Sequence, residues 1–453
     1  MGKITLGQAA AWCGGRIDPK YAEVSFYGAN NDTRLIQPGQ LFVALQGVRD
    51  GHDYIPTALE KGAAAVLCTR CDGDYPAIIV EDTRIALGQI AAGERKRIGM
   101  KVVGITGSVG KSTTKEMIAC VLGSTYKVAK TPANHNNDIG MPMAVLSIPE
   151  DTQVAVLEMG MNHFREIAYL TNIARPDVAV IINIGTMHME HLGSQEGILK
   201  AKLEILEGME ENSPLILNGD DTLLWNSQKQ LTRKITYFGW QNSDCTVCGN
   251  DVAQGEGRIS FTAASGDVTI PVILPLEGEH YVPDALAAIS VGLTLGVAPT
   301  AIAESLSSFQ NLAGRQEIFS TKGYTIIKDC YNAGPESMAA ALMVLGSKPG
   351  RRIAVLGDML ELGVCTQAEH YRIGRIAAEK ADMVFAYGPN SGRVISGCIT
   401  GGMAQDKALA FEDRSALAEA LKRKAKPGDT LLFKGSHGMH MELILELFLK
   451  DET

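Results

Sequence analysis

Three α/β domains in series are what this sequence predicts, on three observations. The chain has 453 residues, a length that suggests about three domains at roughly 150 residues each. From residue 102 onward, apolar β-branched runs alternate with helix-length segments, the rhythm of a parallel sheet with helices on both faces. Residues 104–114, GITGSVGKSTT, set a glycine-rich turn between one such run and a helix start.

The elements follow in chain order. Residues 1–98 read as a small α/β N-terminal domain: a short helix pattern, strand-like runs at 41–45 (LFVAL) and 64–68, and a helix pattern at 54–61 between them. The polar, basic stretch 94–101 marks a first boundary. Residues 99–312 read as a central P-loop ATPase domain with a mainly parallel sheet. Its strands are expected at 102–105, 153–158, 178–182 and 214–218, and its helices at 111–122, near 164–171 and at 195–207. Residues 232–275 change to short alternating runs of Thr, Val and Gly, which suggests an antiparallel patch. A helix at 283–296 then leads to a second boundary near 311–314. Residues 313–453 repeat the alternation as a C-terminal Rossmann-like α/β domain, with strands at 324–328, 352–356, 382–386 and 429–433.

Composition narrows the function. The chain is 45% hydrophobic and 21% charged, ordinary for large globular cores. A net charge of −9 without a long basic stretch argues against a nucleic-acid partner, so an anionic substrate needs a local basic pocket. No apolar run approaches the roughly 18 residues of a membrane span, and Gln8 interrupts the N-terminus too early for a secretory signal. A cytosolic protein is expected. Of nine cysteines, two pairs have CxxC spacing, Cys68/Cys71 and Cys245/Cys248. The second pair lies in a β-prone stretch, where residues three apart face opposite ways, so reduced structural thiols are the better reading.

The glycine-rich turn carries the chemistry. Backbone N–H groups from Gly107, Ser108, Val109, Gly110 and Lys111 to Ser112 and Thr113 can face a polyphosphate, with the helix dipole behind them. Lys111 can reach the β/γ-phosphates and Ser112 can bind Mg²⁺. The loop is the shorter GxxGK[ST] form, because Ile105 stands five residues before Gly110 where the longer form has glycine. Ligands of parallel sheets gather beyond the carboxyl ends of the strands. Glu158 ends one predicted strand, placed to meet a metal ion held by Ser112. Asn183 ends another, followed by Gly185, Thr186 and His188, then by a helix with Lys200, Lys202 and Glu204. Taken singly, each has a bland reading as a capping carboxylate, a loop histidine or a solvated lysine. Their order at successive strand ends is far more specific.

On these motifs the chain resembles the Mur ligase family nearly end to end. The matching segments are Asn31-Asp32-Thr33-Arg34, GQLFVALQG and DGHDYI in the first domain, then TGSVGKSTTKEM, KTPANHNNDIGMP, EMGMNH and HMEHLGSQEGILKAKLEI in the centre. AGRQE, DCYNAGPESM, GDMLELG and KGSHGMHME follow in the third domain. The DGHDYI, NHNNDIG and GDMLELG versions favour the dipeptide-adding member. The resemblance implies an ATP-dependent amide ligase with two Mg²⁺ ions, joining D-alanyl-D-alanine to a UDP-N-acetylmuramoyl tripeptide through an acyl phosphate. It implies that Lys111, Glu158, His188 and Lys202 are catalytic, with Lys202 carbamylated, and that Ser112, Glu158, His188 and Lys202 serve the metals. Asn137, Arg315, Asp329 and Tyr331 would join the P-loop around ATP. Asp32, Thr33, Arg34, Asn332, Lys434 and Ser436 would bind substrate, and a monomer is expected. Tyr281, Asp284 and Gly334 stand where relatives usually carry asparagine, His437 where arginine is common, and Arg165 where glycine is usual. The rivals are a diamino-acid-adding sister enzyme, a folylpolyglutamate synthase, a P-loop kinase or GTPase, and an inactive precursor-binding scaffold.

Overall fold

After a two-stranded antiparallel ribbon, Ile4–Thr5 with Ser25–Phe26, three larger sheets succeed one another along the chain in a computed structural model that describes residues 2–187 and 189–450. The first of these has four parallel strands in the order Ala29–Asn30, Leu41–Val43, Ala65–Cys68 and Ala77–Ile79. Its long helix, Thr83–Ile98, starts where the Asp82 carboxylate accepts the N–H groups of Arg84 and Ile85, and stops at Gly99 in the left-handed region (φ 71°). The polar stretch at 94–101 is therefore mostly the last turn of a helix. Glu94 is buried there against Arg97, and the Arg95 guanidinium donates to Ala174 O and Asp177 across to the second sheet. One hydrophobic core runs from this helix into the near face of the central sheet.

The central sheet has nine strands, with the P-loop strand Lys101–Thr106 lying between Val178–Ile181 and Val154–Glu158. All three are parallel, and the register pairs Ile105 with Glu158 and Thr106 with Ile181. The phosphate loop, Glu158 and Asn183 thus leave the same edge of the sheet. Alternate side chains serve two cores: Ala155, Leu157, Ala179 and Ile181 on one face, and Val103, Ile105, Val156 and Val180 on the other. The antiparallel patch expected at 232–275 begins one strand late. Ile235–Gly239 pairs in parallel with its neighbours, and only Val247–Gly255, Arg258–Ser265 and Val268–Leu274 pair antiparallel with one another. Tyr237 and Phe238 are buried on opposite faces, the two-sided burial of an interior parallel strand.

The third sheet runs Glu317–Thr321, Tyr324–Asp329, Thr430–Lys434, Arg352–Gly357, Met383–Tyr387 and Ala408–Phe411, antiparallel only in its first pair. The two strands at its edges carry no continuous buried apolar run, and sequence periodicity missed both. The nine cysteines are free thiols. Cys245 lies before its strand, not in it, and the Cys248 thiol turns back to the Cys245 carbonyl at 3.0 Å. The expectation that the two face opposite sides of one strand therefore fails.

Candidate active site

The phosphate loop ends at Gly110, which caps helix Lys111–Gly123 in the left-handed region (φ 83°). A Cβ at Gly110 would lie 2.8 Å from Asp284 Oδ1, so glycine is required there twice over. Asn183 grips the loop: its Oδ1 accepts the N–H groups of Ser108 and Val109, both at 3.0 Å. In the ligand-free chain Asn183 thus holds two of the amides expected in the cradle. The first-turn amides of Lys111, Ser112 and Thr113 have no intrahelical acceptor and are free to meet phosphate. The Lys111 ammonium is folded onto Gly107 O and Ser108 O at 2.8 and 3.2 Å, and burial lowers its pKa.

Register delivers Glu158 to this loop. The Ser112 hydroxyl donates to Glu158 Oε2 at 2.8 Å, and Asn136 Nδ2 donates to Oε1 at 2.8 Å. Beneath them, the fully buried Lys115 donates to Thr131 O at 2.7 Å and stands 3.7 Å from Glu158 Oε2. Lys115 and Asn136 were not singled out from the sequence. Lys115 follows Lys111 by one helical turn, which is the signal that could have found it. Asn137 lines the cleft while its side-chain oxygen caps helix Gly140–Leu146 through Gly140 N at 2.8 Å.

The third sheet closes the other wall. Arg315 Nη2 donates to Ser112 Oγ at 2.9 Å while its guanidinium lies 4.2 Å from the Tyr331 ring centre. Parallel pairing sets Asp329 beside Lys434, and their ion pair closes at 2.7 Å with Lys434 also donating to Asn332 O at 3.0 Å. Ser436 accepts the Leu360 N–H at 2.9 Å and donates to Ala333 O at 3.2 Å. These groups, with His280, Tyr281, Asp284 and Asn332, line a cleft of about 760 Å³. Burial holds His280 down to about 4 and pushes Asp284 up to about 7, although the Thr114 hydroxyl donates to Asp284 Oδ1 at 2.8 Å.

Lys202 and Lys200 part company as the helix spacing requires. Lys202 is buried on the inner face of helix Gln195–Leu203, where desolvation and then the Lys111 charge lower its pKa well below the ordinary value. Lys200 is exposed, its ammonium 5.8 Å from the Phe164 ring centre. Glu204 accepts the Arg165 backbone N–H at 2.8 and 2.9 Å, a contact that glycine would make equally. Arg165 stands at φ 73°, a glycine conformation, and is anchored further by its guanidinium at Glu207, 2.6 Å away. At Gly334 a Cβ would come within 2.9 Å of Met187 Sδ, so a larger residue there requires the Met187 side chain to move. His437 is exposed, 6.1 Å from Tyr331 between ring centres. His188, the expected metal contact, lies outside the described residues.

The first-domain residues do not line this cleft. Arg34 clasps Asp32 through Nη2 at 2.6 Å and Nε at 3.0 Å, drawing the carboxyl down to about 2, and Lys61 donates to Thr33 O at 2.7 Å.

Residues 105–292 match the Mur ligase middle domain, 314–437 the Mur ligase glutamate ligase domain, and 25–95 the Mur ligase family catalytic domain. The chain is similar to the UDP-N-acetylmuramoyl-tripeptide–D-alanyl-D-alanine ligase of Bacillus subtilis, at 41% identity over 98% of each chain. Its counterpart in Escherichia coli is 35% identical over 100% of each. Among solved structures, MurF from Acinetobacter baumannii superposes with a TM-score of 0.91 at 30% identity, covering 99% of this chain and 100% of that one.

Proposed function

This chain belongs to the Mur ligase family, and from that premise we propose how its residues divide one reaction among them. It is an ATP-dependent, ADP-forming amide ligase that adds D-alanyl-D-alanine to UDP-N-acetylmuramoyl tripeptide in peptidoglycan precursor synthesis. One observation carries the assignment of the reaction centre: Ser112 and Glu158 in contact at 2.8 Å beside Lys111, with Arg315 reaching across from the third sheet.

A donor carboxylate approaching the γ-phosphate meets a repulsion of about 4 kcal/mol per unit pair at ~4 Å and effective dielectric ~20. Lys111 turns from its loop carbonyls to the phosphates, and Arg315 adds a second cation. Ser112 and Glu158 present adjoining oxygen donors that suit Mg²⁺, which when bound neutralises charge on the transferring oxygens. Two Mg²⁺ ions are proposed, with His188 on the second. The buried Lys202 amine is biased to its neutral form, the form that takes up CO₂, and the resulting carbamate would support the metals as an anion. The incoming amine, with an ordinary pKa of about 7.7–8.0, needs positioning more than a strong base. Residues 1–98, with Asp32, Thr33 and Arg34, would hold the UDP-sugar. Residues 99–312 would bind ATP, and residues 313–453 would bring Asn332, Lys434 and Ser436 to the dipeptide. A cytoplasmic monomer is proposed.

The test is mass spectrometry of products from UDP-muramyl tripeptide, ATP and candidate acceptors, with ¹⁸O in the donor carboxyl group. D-Alanyl-D-alanine should be incorporated and ¹⁸O should appear in inorganic phosphate. Incorporation of a free diamino acid in its place would move the chain to the sister enzyme, and unlabelled phosphate would remove the acyl phosphate.

A further inference from the structure

Beside the phosphate loop stands a carboxylate that the reaction scheme has not used. Glu336 occupies the first turn of helix Pro335–Gly346 in the third sheet's domain. Its Oε1 accepts both the N–H and the hydroxyl of Thr186, each at 3.0 Å, so the group is locked across the boundary to the central sheet. Two close approaches hold that lock. A Cβ placed on Gly185 would lie 3.1 Å from Glu336 Oε1 and 3.0 Å from Ser108 Cβ, and Gly334 abuts Met187. Glu336 and the P-loop residue Ser108 are therefore neighbours across a single glycine, and both line the nucleotide cleft.

The second oxygen, Oε2, is buried and has no hydrogen-bond partner among the described residues. Buried polar atoms are nearly always satisfied, so an orphan of this kind calls for a ligand. A carboxylate next to a loop that binds a polyphosphate would repel it unless a cation stood between them. Among the described residues no lysine, arginine or histidine partners Oε2, which points to a cation that arrives with the reaction. We propose that Glu336 Oε2 receives the ammonium group of the incoming D-alanyl-D-alanine, seating the nucleophile beside the phosphate loop. The proposal rests on the acceptor assigned above and adds the residue that recognises its amine.

Glu336→Gln tests it, because the amide oxygen can keep both Thr186 contacts while the charge is lost. The dipeptide KM should rise about tenfold or more, with the KM values for ATP and tripeptide held within about twofold. Calorimetry supplies a readout free of turnover: wild type should bind D-alanyl-D-alanine about tenfold more tightly than propionyl-D-alanine, which lacks the amine, and Glu336→Gln should bind the two alike. Glu336→Asp, which keeps the charge, should retain part of the preference and serves if the glutamine variant melts early. An unchanged dipeptide KM and preference in Glu336→Gln would overturn the proposal. So would a raised Mg²⁺ requirement with the dipeptide KM intact, which would make Glu336 a metal ligand. Wild type failing to use the dipeptide at all would instead overturn the acceptor assignment itself.

Discussion

Two ion pairs of similar length serve different regions of the molecule. In the nucleotide cleft, Lys434 meets Asp329 at 2.7 Å with the lysine side chain 2% exposed. In the first domain, Arg34 meets Asp32 at 2.6 Å with the arginine side chain 85% exposed. The distances hardly differ, but the surroundings do. Inside the cleft the charges are desolvated, so each depends on its partner and on the backbone groups around it, and the geometry is held rigid before any ligand arrives. At the surface, water replaces either partner at little loss, and the proposed UDP-sugar role of Arg34 requires it to exchange Asp32 for a phosphate. Preorganisation belongs to the cleft and adaptability to the first-domain segment.

That contrast can be broken at four places, in falling order of effect. Lys202→Ala should abolish turnover while the protein still melts cooperatively, because it removes the buried amine and any carbamate built on it. Turnover at wild-type level would remove Lys202 from the mechanism. Lys434→Ala should lower unfolding free energy, by up to about 3 kcal/mol, since Asp329, only 15% exposed, would be left without its cation. Denaturant midpoints that stay put would show that the cleft pair is as loose as the surface one. Asp284→Asn sharpens the contrast through pH. The carboxyl of Asp284 titrates near 7 in the folded state against about 3.8 unfolded, so the folded form binds the extra proton and wild type loses stability as pH rises through that window. Between pH 5 and 8 the asparagine variant should gain roughly 3 kcal/mol relative to wild type, read from urea melts at each pH. A flat difference would mean that Asp284 is already ionised at pH 5. Arg34→Ala should leave the melting curve unmoved but raise the KM for the UDP-linked substrate about tenfold. Lost stability with an unchanged KM would reverse the roles of the two regions.

Much of the cleft was legible before any coordinates. Glu158 and Asn183 sit at the ends of runs whose periodicity marks them as strands, and parallel sheets bring such ends to one edge. The first turn of the helix after Gly110 was equally readable from GxxGKS. What went unread has a common cause. Asn183 taking the amides of Ser108 and Val109 depends on how a neighbouring strand end folds back, and no motif encodes that. The parallel pairing of Ile235–Gly239 depends on burial on both faces, whereas its Thr- and Tyr-containing sequence reads like the alternating strands beyond it. Sequence shows residue type but not backbone angle, so neither the φ of 73° at Arg165, a glycine conformation, nor the guanidinium contact with Glu207 that arginine adds there was readable.

From the chain of residues alone came the three α/β units, the phosphate loop, the strand-end carboxylate and the kinship that assigns the reaction. All of these are written in patterns a few residues long, repeated by the chemistry of strands, turns and helix starts. Only the folded molecule brought Asp284 to Thr114, Arg315 to Ser112 and Glu336 to Thr186, contacts spanning 170, 203 and 150 residues. Such contacts follow from how sheets stack and dock. That depends on the sum of many packed side chains and on no local signal, so burial, orphaned oxygens and shifted proton affinities become visible only in three dimensions.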